Sequence, residues 1–157
     1  MFQRNRLLGA FMEMRMFSNL KSVGAYIFQG SSLSKTELPD SITVLGNDAF
    51  RECSLTSIIL KEGLLTMSRS FYSCGRLQNI TIPSTVTALG SEPFYRCSAL
   101  MYIKVLPATP PTISGNWLGY SNLAQVYVPD SSLAAYKAAS GWSTYASRIH
   151  SMSEFAD

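Results

Sequence analysis

The sequence predicts an α/β right-handed solenoid. It expects a short parallel β-sheet on the concave face, turns or short helical segments on the convex side, and a helical cap at the C-terminal end. Three observations predict it. An aromatic residue recurs at Phe28, Phe50, Phe71, Phe94 and Trp117, at intervals of 22, 21, 23 and 23 residues. An apolar-x-apolar pair recurs in step with that file. After Pro129 the repeat gives way to "LAAYKAA", a stretch of good helix formers.

The elements follow in chain order. Residues 1–10 are expected to be an N-terminal cap or a truncated coil, with Phe2, Leu7 and Leu8 covering Phe11 and Met14. Five coils then run over 11–32, 33–54, 55–76, 77–99 and 100–122, opened by Phe11, Leu33, Leu55, Leu77 and Leu100, with Leu123 opening the last strand. Three and five residues after each opener comes the strand pair: Met14 and Met16, Thr36 and Leu38, Ile58 and Leu60, Ile80 and Ile82, Ile103 and Val105, Val126 and Val128. That spacing buries one face of a short strand. Pro39, Pro83 and Pro129 stand just past it, where no ladder donor is required. A second apolar pair follows: Leu20 and Val23, Ile42 and Leu45, Leu64 and Met67, Val86 and Leu89. Gly24, Gly46 and Gly90 come directly after it in three blocks, where the backbone needs positive φ or passes close to the next coil. One coil cannot bury both pairs alone, but stacked coils can, with strands about 4.8 Å apart.

The consensus L-x-x-I-x-I-P-x-x-V-T-x-L-G-x-x-A-F-x-x-C resembles the BspA-like leucine-rich-repeat family of bacterial and some protist surface proteins. "LQNITIPSTVTALGSEPFYRC" carries the resemblance most closely, "ELPDSITVLGNDAFREC" follows, and "VYVPDSSLAAYKAASGWSTYASRI" is similar to the ending of such arrays. The resemblance spans residues 11–149 and implies a leucine-rich-repeat scaffold at a cell surface or in a secreted, adhesin-like protein. Departures are local: Phe17, Lys61 and Leu106 replace the Pro, and Ser68 replaces the Gly. The coil opened by Leu55 is one residue short before Phe71, so an irregularity is expected there.

Open solenoids need caps. Residues 123–149 are expected to form the last strand plus a helical cap, with Asp130 or Ser131 as N-cap and Gly141 as stop. Trp142, Tyr145 and Ile149 recur at helical spacing and are expected to lie over the final coil, leaving 150–157 as a tail.

Composition narrows the function. In 157 residues, apolar side chains make up 46% and charged ones 15%, which is a folding composition. The net charge of +3 is spread thinly from Arg4 to Arg148, so a nucleic-acid partner is not expected. No apolar stretch reaches membrane-span length. The opening "MFQRNRLLGAFMEMRMF" is cut short as a signal peptide by Glu13 and Arg15, which leaves either a cytoplasmic protein or a mature or truncated form of an exported one.

Cys53, Cys74 and Cys97 each lie three residues after the file aromatic, with Ser31 in the same place in the first coil. They form a column of buried free thiols in a small apolar niche, not a metal or redox cluster. The sole histidine, His150, reads as an exposed tail residue far from any repeat cysteine, so cysteine–histidine catalysis has no base. Asp48 and Glu52 read as a solvated pair on a convex turn. Neither enzyme chemistry nor a metal or cofactor is expected.

The candidate surface is the sheet's outward face. It carries Glu13 and Arg15, Lys35 and Glu37, Ser57 and Ile59, Asn79 and Thr81, Tyr102 and Lys104, Gln125 and Tyr127. Glu13 beside Lys35 and Arg15 beside Glu37 read as ordinary cross-strand charge pairs. Ile59, Thr81, Tyr102, Lys104, Gln125 and Tyr127 are the expected binding residues, because exposed aromatic and apolar side chains mark interface hot spots. Tyr95 and Tyr120 fall on or near the convex turns and weigh less. The expected function is a non-enzymatic module, monomeric, binding a protein or glycan. A spacer within a larger repeat array is the alternative.

Overall fold

The computed structural model describes residues 19–122 and 124–156. The expectations for Phe2 to Phe17, including the charge pairs of Glu13 and Arg15, and for Leu123 lie outside them. Short strands cross the described coils, and counterparts in successive coils pair in parallel with one interruption in the first ladder. The first ladder contains β2 (Lys35–Glu37), β4 (Ser57–Ile59), β6 (Asn79–Ile82), β8 (Tyr102–Val105), β10 (Gln125–Val128) and β11 (Ile149–Ser151). Its register puts Ile80, Ile103, Val126 and Ile149 side by side, each on the buried face. Alternation does the rest: in β6, Ile80 and Ile82 are buried, Asn79 is half-buried and Thr81 is exposed.

This ladder is interrupted between β4 and β6, leaving a two-stranded and a four-stranded sheet. Gln78 N–H still reaches the Thr56 carbonyl there, at 3.2 Å. The interruption falls at the coil whose spacing is one residue short. Lys61, standing where other coils place Pro, instead pairs with Glu37 of the preceding coil.

The second apolar pair does more than the sequence reading expected. It builds a second parallel ladder of β1 (Ser22–Val23), β3 (Val44–Leu45), β5 (Thr66–Met67), β7 (Ala88–Ser91) and β9 (Thr112–Ser114), where turns or short helical segments had been expected. The position directly after the apolar pair is tightly confined in two coils. A Cβ on Gly46 would lie 2.7 Å from the Ala25 amide nitrogen, and one on Gly90 would lie 2.5 Å from Ser68 Oγ. A bulge between Ala88 and Gly90 absorbs a change of register between β7 and β9.

The aromatic file is continuous. Phe28, Phe50, Phe71 and Phe94 stack ring on ring at centroid distances of 5.1, 5.6 and 6.0 Å, within 11° of parallel. Two columns of left-handed backbone flank it. Tyr26, Asp48, Arg69, Glu92 and Gly115 stand two residues before each file member, and Gly30, Glu52, Ser73 and Arg96 stand two residues after, all with φ between 49° and 70°. For a residue with a Cβ this conformation costs about 1 kcal/mol or more. Backbone hydrogen bonds between successive turns hold it, such as Glu52 N–H to Tyr72 O at 2.9 Å and Ser73 N–H to Tyr95 O at 2.8 Å.

The far end is closed by aromatic residues and one more strand. A 3₁₀ turn over Asp130–Ser132 leads into α1 (Leu133–Ala138). The helix starts from Ser132, one residue beyond the expected caps, and the Ser132 hydroxyl donates to Ala108 O at 2.7 Å. Gly141 has φ +80° and turns the chain back. Trp117 then ends the file by packing edge-on against Trp142 and Tyr145, with centroids 5.0 and 5.2 Å away. Buried donors are matched: Trp117 Nε1 to Gly141 O at 2.9 Å, Trp142 Nε1 to Pro111 O at 2.8 Å, and Tyr136 OH to Pro107 O at 2.7 Å. Ile149 was expected on a helix and His150 in a tail. Both instead belong to β11, which adds to β10 and covers its edge.

Candidate binding face

The exposed face of the first ladder divides into two regions. Toward the earlier coils it is open, with Ile59 54% exposed and Thr81 exposed. Toward the cap it carries an aromatic cluster. Register places Asn79 beside Tyr102 and Tyr102 beside Gln125, while Lys104 lies between Thr81 and Tyr127, and Tyr127 adjoins His150. Tyr102 and Tyr127 thus stand on a diagonal of adjacent strands.

The ring of Phe155 fills that diagonal. Its centroid is 4.8 Å from Tyr102 at 63° and 4.9 Å from Tyr127 at 83°, edge-on to both. Lys104 Nζ lies 3.6 Å from the same centroid, a close cation–π contact. Three of the expected binding residues are therefore brought together, but under a side chain of the same chain rather than bare. Gln125 joins them through His150, whose Nε2 is 2.9 Å from Gln125 Oε1.

Local chemistry fixes where Phe155 goes. The residues before it form a 3₁₀ turn over Met152–Glu154 closed by a capping box, in which Glu154 Oε1 accepts from Ser151 N–H at 3.0 Å. Asp130 anchors the same turn, accepting from the Ser151 hydroxyl and from Ser153 N–H at 3.0 Å. The Ser151 hydroxyl, with the Ser153 N–H, holds the Asp130 carboxyl below its ordinary range. Sequence reasoning missed Phe155, Glu154 and the role of His150. A signal was present: Val126 to Ile149 and Val128 to Ser151 are both 23 residues, the repeat interval itself.

A second side-chain ladder lies on the turns after the aromatic file. Tyr72 stacks on Tyr95 at 5.0 Å, and Tyr95 meets Tyr120 edge-on at 5.4 Å. Arg51 and Arg69 lie 5.0 and 4.6 Å from the Tyr72 ring, and Arg96 lies 5.4 Å from that of Tyr120. Asp48 is not the solvated residue expected. It is 3% exposed and is held between Arg69 Nε at 3.5 Å and Arg51 Nη1 at 3.8 Å, while Glu52 stays exposed and pairs with Arg51. The charges on this ridge are consumed locally.

The cysteines are hydrogen-bond donors rather than fillers of an apolar niche. Cys53 Sγ donates to Phe28 O at 2.8 Å, Cys74 Sγ to Phe50 O at 2.9 Å and Cys97 Sγ to Phe71 O at 3.1 Å. In the next coil Ser121 Oγ does the same for Phe94 O at 2.8 Å. Each satisfies the carbonyl of the aromatic residue one coil back. Burial pushes all three thiols up, Cys97 to about 12, so they remain protonated as donors must. Among the described residues no cluster of three or more His, Cys, Asp or Glu could hold a metal ion.

Six copies of the BspA-type leucine-rich-repeat region match residues 17–139, and the chain belongs to that family. Among solved structures it is similar to the crystal structure of the pneumococcal vaccine antigen PcpA, with a TM-score of 0.54 and 17% identity. The similarity covers 85% of this chain and 40% of the antigen's chain, so this chain spans less than half of that protein. At such identity the likeness shows the fold alone. No curated protein sequence matches the chain. No helix among the described residues is long and apolar enough to cross a membrane.

Proposed function

We propose that the chain is a non-enzymatic recognition module that binds a protein or glycan through the exposed face of its first ladder, as part of a cell-surface or secreted adhesin-like protein. One observation carries the reading: a single face holds an exposed apolar side chain, Ile59, in line with a cluster of aromatic rings and a lysine, spread over adjacent strands. Rigid aromatic side chains on regular strands lose little entropy on binding and dominate interface energetics. Family membership supports the scaffold, and the likeness to a vaccine antigen supports a surface setting. The Tyr–Arg ridge is the weaker candidate, because its cations already serve Asp48, Glu52 and the tyrosine rings.

The test is a screen of the purified chain against a glycan array and a panel of extracellular proteins, repeated with Ile59→Arg. That substitution is at an exposed position and leaves stability within about 0.5 kcal/mol. A ligand of this face loses at least about tenfold in affinity, or 1.4 kcal/mol. Ligands that bind Ile59→Arg unchanged but lose affinity in Tyr95→Ala would move the site to the ridge and refute the proposal.

A further inference from the structure

We propose that the diagonal between Tyr102 and Tyr127 is a receptor for a single aromatic side chain of a protein partner, and that Phe155 is its built-in competing occupant. The inference rests on the reading that this face binds a ligand, and names what that ligand presents. Three features separate the slot from ordinary core packing. Phe155 makes its ring contacts with Tyr102 and Tyr127, both on the outward side of the sheet, whereas Ile103 and Val126 of the same strands point into the core. It is approached edge-on by two rings and capped by the Lys104 ammonium, an arrangement selective for a flat π-face rather than for any apolar group. It is delivered by a short 3₁₀ turn whose exposed residues Ser153 and Glu154, with the exposed Asp130, share one partner, Ser151 at the end of the edge strand β11.

The consequences are physical. While Phe155 is seated, the aromatic half of the face is half-buried beneath it, whereas Ile59 and Thr81 in the other half are exposed. A partner segment that reaches the open half and carries an aromatic residue at the right distance displaces Phe155 and gains the Lys104 contact with it. The intramolecular ring acts at a local concentration in the millimolar range, so it filters out weak aromatic ligands.

The probe is the blocked peptide MSEFA, the sequence of residues 152–156, titrated into the Phe155→Ala variant while the Tyr102 and Tyr127 ring resonances are followed by NMR. Phe155 lies outside the buried core cluster, so the variant is expected to fold. The peptide should then shift both rings saturably at low-millimolar concentration. It should bind at least about tenfold more weakly to the parent chain and to Phe155→Trp, whose slots are filled, and substituting alanine for its phenylalanine should abolish the shifts. A folded Phe155→Ala variant silent to about 10 mM peptide overturns the proposal. So does loss of the fold in that variant, which would make Phe155 a core residue, and so does a response to free monosaccharides with none to the peptide. A ligand sensitive to Ile59→Arg alongside a silent peptide would leave the binding face standing and remove only the aromatic receptor.

Discussion

Phe71→Ala is the substitution that most fully exercises the stacked architecture. Phe71 is fully buried and lies between Phe50 at 5.6 Å and Phe94 at 6.0 Å, with both rings tilted by only 6°. Removing a buried Phe side chain costs about 3–5 kcal/mol, the higher values where the site cannot collapse. Collapse is resisted here because the backbone on either side is pinned by turn-to-turn hydrogen bonds, including Phe71 N–H to Pro93 O at 3.2 Å and Ser73 N–H to Tyr95 O at 2.8 Å. A loss of about 4 kcal/mol is therefore expected. With a urea m-value of about 2 kcal/mol/M, the midpoint falls by about 2 M. Phe28→Ala is the internal control. Phe28 is half-buried and stacks on Phe50 at 5.1 Å, so its truncation should cost about 1–2 kcal/mol. The assay is urea unfolding followed by circular dichroism for both variants. A Phe71→Ala cost below about 1 kcal/mol, or equal costs at the two positions, would refute the continuous file.

The remaining predictions concern the same framework and its edges. Cys74→Ser should cost less than Cys74→Ala, because a hydroxyl can still donate to Phe50 O as Ser121 does for Phe94 O; the alanine should lose about 1 kcal/mol more, read by the same unfolding curves. Gly46→Ala should destabilise by about 1–3 kcal/mol, since its Cβ would press on the Ala25 backbone, and a neutral result would mean that the two turns are farther apart than described. The thiols and Tyr136 have folded-state values raised by burial, so the folded chain holds more protons than the unfolded one in alkali. Their contribution is complete below about pH 8.5 and is lost as pH rises toward about 12, which a series of thermal melts checks. Asp130 runs the other way: its folded-state value is lowered, so its hold on Ser151 and Ser153 is present above about pH 3.9 and is lost as pH falls below that. The Phe155 ring resonances should accordingly move as pH falls below about 3.9.

Much of the fold was legible because the repeat writes the same burial demand many times. The strand pair, the aromatic file and the outward residues of each strand follow from spacing alone, since alternation admits one register with both apolar residues inside. The second ladder was harder to read. Ile42 and Leu45 are three apart, which does not suggest a strand, and only the two residues Val44–Leu45 pair before Gly46 closes on the preceding turn. Asp48 escaped for a related reason: its left-handed turn folds the side chain inward to Arg69, a direction that sequence spacing does not carry. The cysteine column was seen, but its hydrogen bonds run to carbonyls 24–26 residues back, which only the stacked coils bring near. The outward face of the sheet was legible as a set of strand positions. Its occupant was not, because the segment after Gly141 was read at helical period, when Ile149–Ser151 repeats the strand interval and sets up the turn that carries Phe155.

One aromatic NOE spectrum of the free protein tests the central claim most directly, that coils stack in register and present a face whose aromatic end the chain itself fills. The structure predicts a chain of ring contacts from Phe28 through Phe50 and Phe71 to Phe94, and separate contacts from Phe155 to both Tyr102 and Tyr127. A spectrum lacking the Phe50–Phe71–Phe94 contacts would contradict the stacking. One that keeps them but shows Phe155 touching neither tyrosine would contradict the filled face.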